Sequence, residues 1–342
     1  MKQDDTVPSF VRKVDGFQRK HKVLGFPLAV IYKYFDDQGA YLAAIITYYA
    51  FIAIFPLLLM GSSILGFFLQ GDSALRDRVL NSALSQFPII GDQLGRPEGL
   101  SGSTSAIVIG AVAATYGAMG LGQACQNAAN VAWSVPRNSR ANPFLMRFRS
   151  LIFLVIGGLG ILAVAVTTSL LANPQSLGAR VEESVSWLIR FAGFLLTVVI
   201  FVGLFRLVSA GRVGARSVLP GAFVSAVMWQ LLQVGGNSYV TNVITKTNQM
   251  NKTFALVLGL IAFIYLSGVM AVVGLEFNVV LRRKLYPRAL LTPFTDNVSL
   301  TPADRRAYAS YAKSQRHKGF QSVEVTFEDH EPKADPPPPG NT

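Results

Sequence analysis

The chain has 342 residues, 51% of them hydrophobic and only 15% charged, with a formal net charge of +12. That balance exceeds the apolar share of ordinary soluble domains and excludes a disordered chain, while the single cysteine, Cys125, excludes a disulfide framework. The basic excess falls in separate clusters beside apolar runs rather than along one face, which fits anionic lipid headgroups better than nucleic acid.

In chain order, residues 8 to 35 interleave Phe10, Phe17, Leu24 and Phe26 with Arg12, Arg19, Lys20 and Lys22, the pattern of one interfacial amphipathic helix on the inner leaflet. Uncharged runs follow at Gln38 to Gly71, Gly99 to Pro136, Ser150 to Ala179, Phe191 to Phe205, Ser217 to Thr245 and Thr253 to Leu275. About 20 apolar residues rising 1.5 Å each cross the hydrocarbon layer. The fourth run is short, and Arg190 and Arg206 can snorkel from its two ends. Lipid demands internally satisfied backbone, and the runs lack the alternation of barrel strands. The expectation is an all-α integral membrane protein with six transmembrane helices, over 39 to 70, 104 to 133, 150 to 172, 185 to 208, 219 to 242 and 254 to 281. The first run is too long for a signal peptide and is expected to remain as the first span.

Loop charge sets the orientation. Arg137, Arg140, Arg147 and Arg149 lie between spans two and three, Arg206, Arg212 and Arg216 between four and five, and Arg282, Arg283, Lys284 and Arg288 after span six. The alternate loops carry Asp72, Asp77, Asp92, Glu98, Glu182 and Glu183. Both termini are therefore expected in the cytoplasm. Thr301, Pro302 and Asp304 spell an N-cap, first-turn proline and third-position acid for a short helix through about 318, and Val323 to Phe327 has the composition of a strand fragment. Beyond about residue 328 the Pro-rich tail is expected to be disordered. The domain boundaries implied are 1–38 for a cytoplasmic arm, 39–285 for the membrane domain and 286–342 for a cytoplasmic tail. No internal repeat of the transporter kind is visible.

Within the spans, Glu276 is the one acid in an apolar helix, and such a carboxylate calls for a partner, a wet cavity or the bundle interior. Two readings stand open for it: a structural ion pair with Arg149 or Arg206, or a ligand or proton site. Gln123, Gln126, Asn127 and Asn130 share a face of span two, and Gln230, Gln233 and Asn237 share one in span five. With Asn278, Arg149, Arg206, Tyr48 and Tyr49 they are candidates to line a polar cavity open to the cytoplasm. The amides serve equally as interhelical hydrogen-bond glue, and the tyrosines as interior packing. Pro56 is the hinge candidate in span one. Gly157, Gly158 and Gly160 in span three and Gly110, Gly117, Gly120 and Gly122 in span two read as helix-packing positions.

Enzymatic chemistry finds no foothold. His21, His317 and His330 lie in the terminal arms, and no zinc, Walker or two-metal pattern occurs, so neither a cofactor nor a metal is expected. Asp36 with Asp37, and Glu182 with Glu183, read as solvated surface charges.

The segments YLAAIITYYAFIAIFPLLL from Tyr41, QNAANVAWSVPR from Gln126, LPGAFVSAVMWQLLQVGGNSYV from Leu219 and GLEFNVVLRR from Gly274 together resemble the YihY/BrkB family of bacterial inner-membrane proteins. The resemblance covers about residues 25 to 290. It departs at Leu275 and Phe277, where the family more often has Gly-Ala-Glu-Leu-Asn, so the surroundings of the carboxylate are bulkier here. It implies a six-helix plasma-membrane protein with cytoplasmic ends, in a family whose members go by virulence factor, transporter and, by misassignment, ribonuclease BN. Some members are linked to export of lipids or lipid-A precursors. The resemblance touches Tyr48, Tyr49, Pro56, Asn127, Asn130, Arg137, Pro220, Gly221, Trp229, Tyr239, Glu276 and Asn278. The resulting expectation is a lipid or amphiphile translocator rather than a ribonuclease, with membrane lipids as partners. Its alternative is a non-transporting scaffold for envelope enzymes, whose function would be lost on deleting residues 289 to 342.

Overall fold

The computed structural model describes residues 9–68, 104–172, 183–210, 213–290, 292 and 298–328. The acidic loop residues 72 to 98, Glu182 and the tail beyond 328 lie outside the described residues. Among the described residues the α-helices are α1 (Ser9–Lys20), α2 (Lys22–Asp36), α3 (Gly39–Phe68), α4 (Thr104–Ala132), α5 (Pro143–Ala172), α6 (Glu183–Val208), α7 (Ala215–Tyr239), α8 (Gln249–Arg283) and α9 (Pro302–Ser314). No strand occurs among the described residues, so the fold is all-α. Six of these helices, α3 to α8, stand where the six uncharged runs predict spans. Among the described residues four stretches meet the length and apolarity of a membrane span: Pro143–Val164, Arg190–Val208, Ala215–Ile244 and Asn251–Arg283. Val23–Asp36 followed by Gly39–Ile54 makes a fifth if counted as one broken span.

Three expectations need correction. The single interfacial helix over 8 to 35 is two helices, because the chain leaves helical geometry at His21 (φ −107°, ψ 95°). The strand fragment at Val323 to Phe327 has no regular structure and no pairing partner among the described residues. The helix expected through 318 ends at Ser314, followed by Gln315 as C-cap. Its start is as predicted: the Thr301 side chain accepts from the Asp304 N–H, and the Asp304 carboxylate accepts from the Thr301 N–H, a complete capping box.

The chain forms two compact units. The larger comprises Gly39–Ala129 and Ala141–Leu275. In it the helices close on one another where side chains vanish: Gly117 lies against the Ala53 backbone and Ile52, Gly120 under the Tyr49 ring, Gly122 on Ser150 and Gly160 on Ile200. Gly274 on α8 leaves a gap filled by Ser225 of α7 and Phe205 of α6. These contacts fit lipid-embedded packing, where apolar surface alone does not drive helices together and close approach supplies the dispersion energy. Gly157 and Gly158, by contrast, face open space. A core of Ile244, Leu256, Leu260, Phe263 and Ile264 sits at the α7–α8 connection, with Trp229 and Tyr239 packed against it. There the chain runs through one π-helical turn, Val240–Ile244, and the Tyr239 hydroxyl donates to the Ala255 carbonyl at 2.9 Å. The helix assignment of α3 runs unbroken through position 56, so no helix break marks the hinge candidate Pro56.

The smaller unit comprises Met1–Gln38, Asn130–Arg140 and Glu276–Thr342, so that α1, α2, the last two turns of α8 and α9 belong together. Its centre is Arg288, fully buried, whose guanidinium pairs with Asp304 and, at 3.0 Å, with Asp36. The rings of Tyr32 and Tyr308 lie 5.9 and 5.3 Å from it. Burial alone would make Arg288 easier to deprotonate, but Asp36 and Asp304 outweigh that and hold its proton more firmly than in a free guanidinium.

Candidate functional site

The lone intramembrane acid has an unforeseen partner. Lys33 of α2 points its ammonium at Asp37, one helical turn on, and stands 3.5 Å from Glu276 Oε2. All three side chains are buried, with Glu276 at 0% exposure. Geometry brings them together because Asp37 caps the end of α2, where Gln38 takes a left-handed φ of 56° and stops the helix. The ion-pair reading for Glu276 therefore acquires Lys33 in place of Arg149 or Arg206. The expectation that Asp36 and Asp37 are solvated is overturned as well, since Asp37 is 2% exposed and Asp36 pairs with Arg288. Neither oxygen of Glu276, nor Oδ1 of Asp37, accepts a hydrogen bond. Arg283, about two turns further along α8 than Glu276, donates to the Trp133 carbonyl.

The other candidates divide between the two units. In the smaller, Asn130 and Asn278 are buried, and the Asn130 carbonyl accepts from the Val135 N–H at 2.8 Å. In the larger, Gln126 is buried and its amide donates to the Gly122 carbonyl (3.2 Å), the Met146 carbonyl (2.9 Å) and Ser150 Oγ (3.0 Å). The bonds to Met146 and Ser150 join α4 to α5, an interhelical hydrogen-bonding role for this amide. Tyr49 is half-buried above Gly120, and Tyr48, 60% exposed, meets it edge-on with ring centroids 5.2 Å apart. Asn127, Arg149 and Gln233 are half-buried, whereas Arg206 and Gln230 are exposed.

The void in the larger unit is apolar. A cavity of about 670 Å³ lies between α7 and α8, lined among others by Leu231, Gly235, Tyr239, Leu258, Ala262 and Leu266. Its size falls in the roughly 300–1,000 Å³ range of small-molecule sites. No carboxylate, amide or cation lines it. Leu231, Leu258 and Leu266 are half or more exposed, so the groove opens on the outer surface of these two apolar helices. Sequence reasoning sought a polar cavity and so missed this one; the visible signal was the Gly235–Gly236 pair, which thins α7 opposite Gly259 and Ala262 of α8.

With that geometry in hand, comparison with known proteins is informative. The family described as Virulence factor BrkB matches residues 30–296. The chain belongs to the BrkB family. A UPF0761 membrane protein of Alkalilimnicola ehrlichii is 26% identical over 279 residues, covering 78% of this chain and 60% of the relative. The chain thus spans about 60% of the length of that curated relative. No solved structure matches. Membership, with several helices apolar enough to span, makes this a multi-pass bacterial inner-membrane protein. The BrkB match takes in Lys33, Asp37, Glu276 and Arg288 but stops short of α9 and its Asp304.

Proposed function

We propose that this BrkB-family protein binds and translocates a lipid or similar amphiphile, its acyl chain seated in the α7–α8 groove. The groove carries the reading: an uncharged trench of about 670 Å³ on the surface of two span-length helices is solvated by hydrocarbon, and an acyl chain is the ligand that fits its lining. The headgroup meets basic residues at the helix ends, with Arg206 exposed on α6 and Arg149 half-exposed on α5, in the orientation that loop charge implies. No nucleotide-binding motif is present in the sequence, so a gradient or a partner supplies any drive.

Gly235 offers the test. It lines the groove, and a Cβ built on it meets nothing within 4 Å, so Gly235→Leu is expected to narrow the groove and gains helix propensity. In proteoliposomes carrying a headgroup-labelled phospholipid, the wild type is expected to move label between leaflets and Gly235→Leu to slow it by tenfold or so. Equal rates for the two, with the wild type active, would remove the groove from the mechanism.

The scaffold reading keeps one observation in its favour: Glu276 is sealed against Lys33 with no solvent contact. Deleting residues 289 to 342 does not discriminate, because it strips Asp304 from the buried Arg288 and is expected to destabilise the smaller unit as well. Exposed substitutions such as Lys313→Ala and Lys318→Ala do, since only a docking role makes them costly.

A further inference from the structure

Two carboxyl groups and one ammonium meet at the junction of α2 and the end of α8. Lys33 Nζ bonds Asp37 Oδ2 and lies 3.5 Å from Glu276 Oε2. Three of the four carboxyl oxygens accept no hydrogen bond, and the Glu276 side chain is wholly buried. An ionised carboxylate without donors is among the costliest groups to bury, and a single neighbouring cation 3.5 Å away does not replace the hydrogen bonds water would give it.

The surrounding charges do not cure the deficit. Asp36 adds negative potential but is engaged by Arg288 at 3.0 Å. Arg283 is within electrostatic reach of Asp37 and Glu276, yet it forms no ion pair with either and its guanidinium is spent on the Trp133 carbonyl. Tyr311 of α9 feels Asp37 and Lys33 without bonding either. No third acid or histidine joins the group to make a metal site among the described residues.

We propose that Asp37 and Glu276 form a proton-binding site, one proton being held between the two carboxyl groups beside the Lys33 ammonium. The proton removes one of the two negative charges and supplies the donor that the unpaired oxygens lack; uptake converts one carboxylate to a carboxylic acid, and release returns the proton to water. Lys33 then neutralises the remaining carboxylate, and the cluster is uncharged overall apart from Arg283. Proton binding here does not depend on the groove: it holds whether or not an acyl chain binds between α7 and α8, and it supplies a place where a proton gradient can act on the chain.

The test is infrared spectroscopy of the full-length protein in lipid bilayers, reading the C=O stretch of protonated carboxyl groups across a pH series. The wild type is expected to show a protonated-carboxyl band at neutral pH that fades as pH rises, and both Glu276→Gln and Asp37→Asn are expected to abolish it while remaining folded, because each amide mimics the protonated acid. Isotopic labelling of the glutamate carboxyls in the wild type assigns the band without any substitution, should a variant fail to fold. Absence of a band that shifts on labelling or disappears in either variant, at every pH at which the protein is folded, would overturn the proposal and leave a fixed ion-pair cluster.

Discussion

Asp304→Ala tests the organisation of the smaller unit. Its carboxylate pairs with the buried Arg288 through Oδ1 and, through Oδ2, accepts from the Ala289 N–H (3.0 Å), the Thr301 N–H (2.9 Å) and Thr301 Oγ1 (2.7 Å). Removing one member of a buried ion pair costs about 3–5 kcal/mol, because the other charge is left uncompensated. Here Asp36, at 3.0 Å and 22% exposed, keeps part of that compensation. Losing half of the capping box adds about 1 kcal/mol. The expected loss is therefore about 3–4 kcal/mol of local stability, or a hundredfold or more in opening of α9 at roughly 1.4 kcal/mol per decade. Hydrogen exchange of the α9 amides in the detergent-solubilised full chain reads this directly. Glu324→Ala, at an exposed position, is the control and should stay within about 0.5 kcal/mol. Less than fivefold faster exchange in Asp304→Ala would refute the view that Arg288 is the keystone.

Burial, opposed in part by Arg288 and aided by Asp36, raises the Tyr308 phenol above its ordinary 10.0. The folded state thus holds that proton more tightly than the unfolded chain, so the contribution is fully present below pH 10 and is lost as pH climbs through the folded value. Tyr308→Phe should flatten the alkaline fall of thermal stability while leaving neutral pH little changed; an unaltered alkaline limb would contradict this. A side chain at Gly274 overlaps Ser225 Oγ, so Gly274→Val should cost about 1–3 kcal/mol, whereas Gly157→Ala, with open space around it, should be neutral or stabilising by up to about 1 kcal/mol in thermal melts. Gln126→Leu removes donors to Met146 and Ser150 and should cost about 1 kcal/mol by the same readout, the scale of interhelical hydrogen bonds in membranes.

The helices were legible because lipid imposes one rule over long windows: an uncharged run of sufficient length has little choice but to be helical. The α9 start was equally readable, since a capping box is contained in four residues. What escaped was long-range pairing. Lys33 and Asp37 sit at i and i+4, a visible signal of local pairing, but their meeting with Glu276 across more than two hundred residues has no sequence period to betray it. Arg288 looked like one more cation after a span, and its burial depends on Asp36 and Asp304 arriving from two other helices. The polar stripe of α4 was read correctly as one face, yet a face of amides serves packing and ligand binding alike, and only the bonds of Gln126 to α5 distinguish them for that residue. The groove left even less trace, because a void is a shape made jointly by residues of separate helices, Gly235 of α7 and Leu258 and Leu266 of α8 among them.

The claim that an acyl chain occupies the α7–α8 groove is tested most directly by native mass spectrometry of the protein released from mild detergent, comparing wild type with Gly235→Leu. The account predicts a co-purified lipid on the wild type that is lost or sharply depleted in the filled-groove variant, while Gly157→Leu, on a surface with open space, retains it. Equal lipid retention in all three proteins, or none in the wild type, would contradict it.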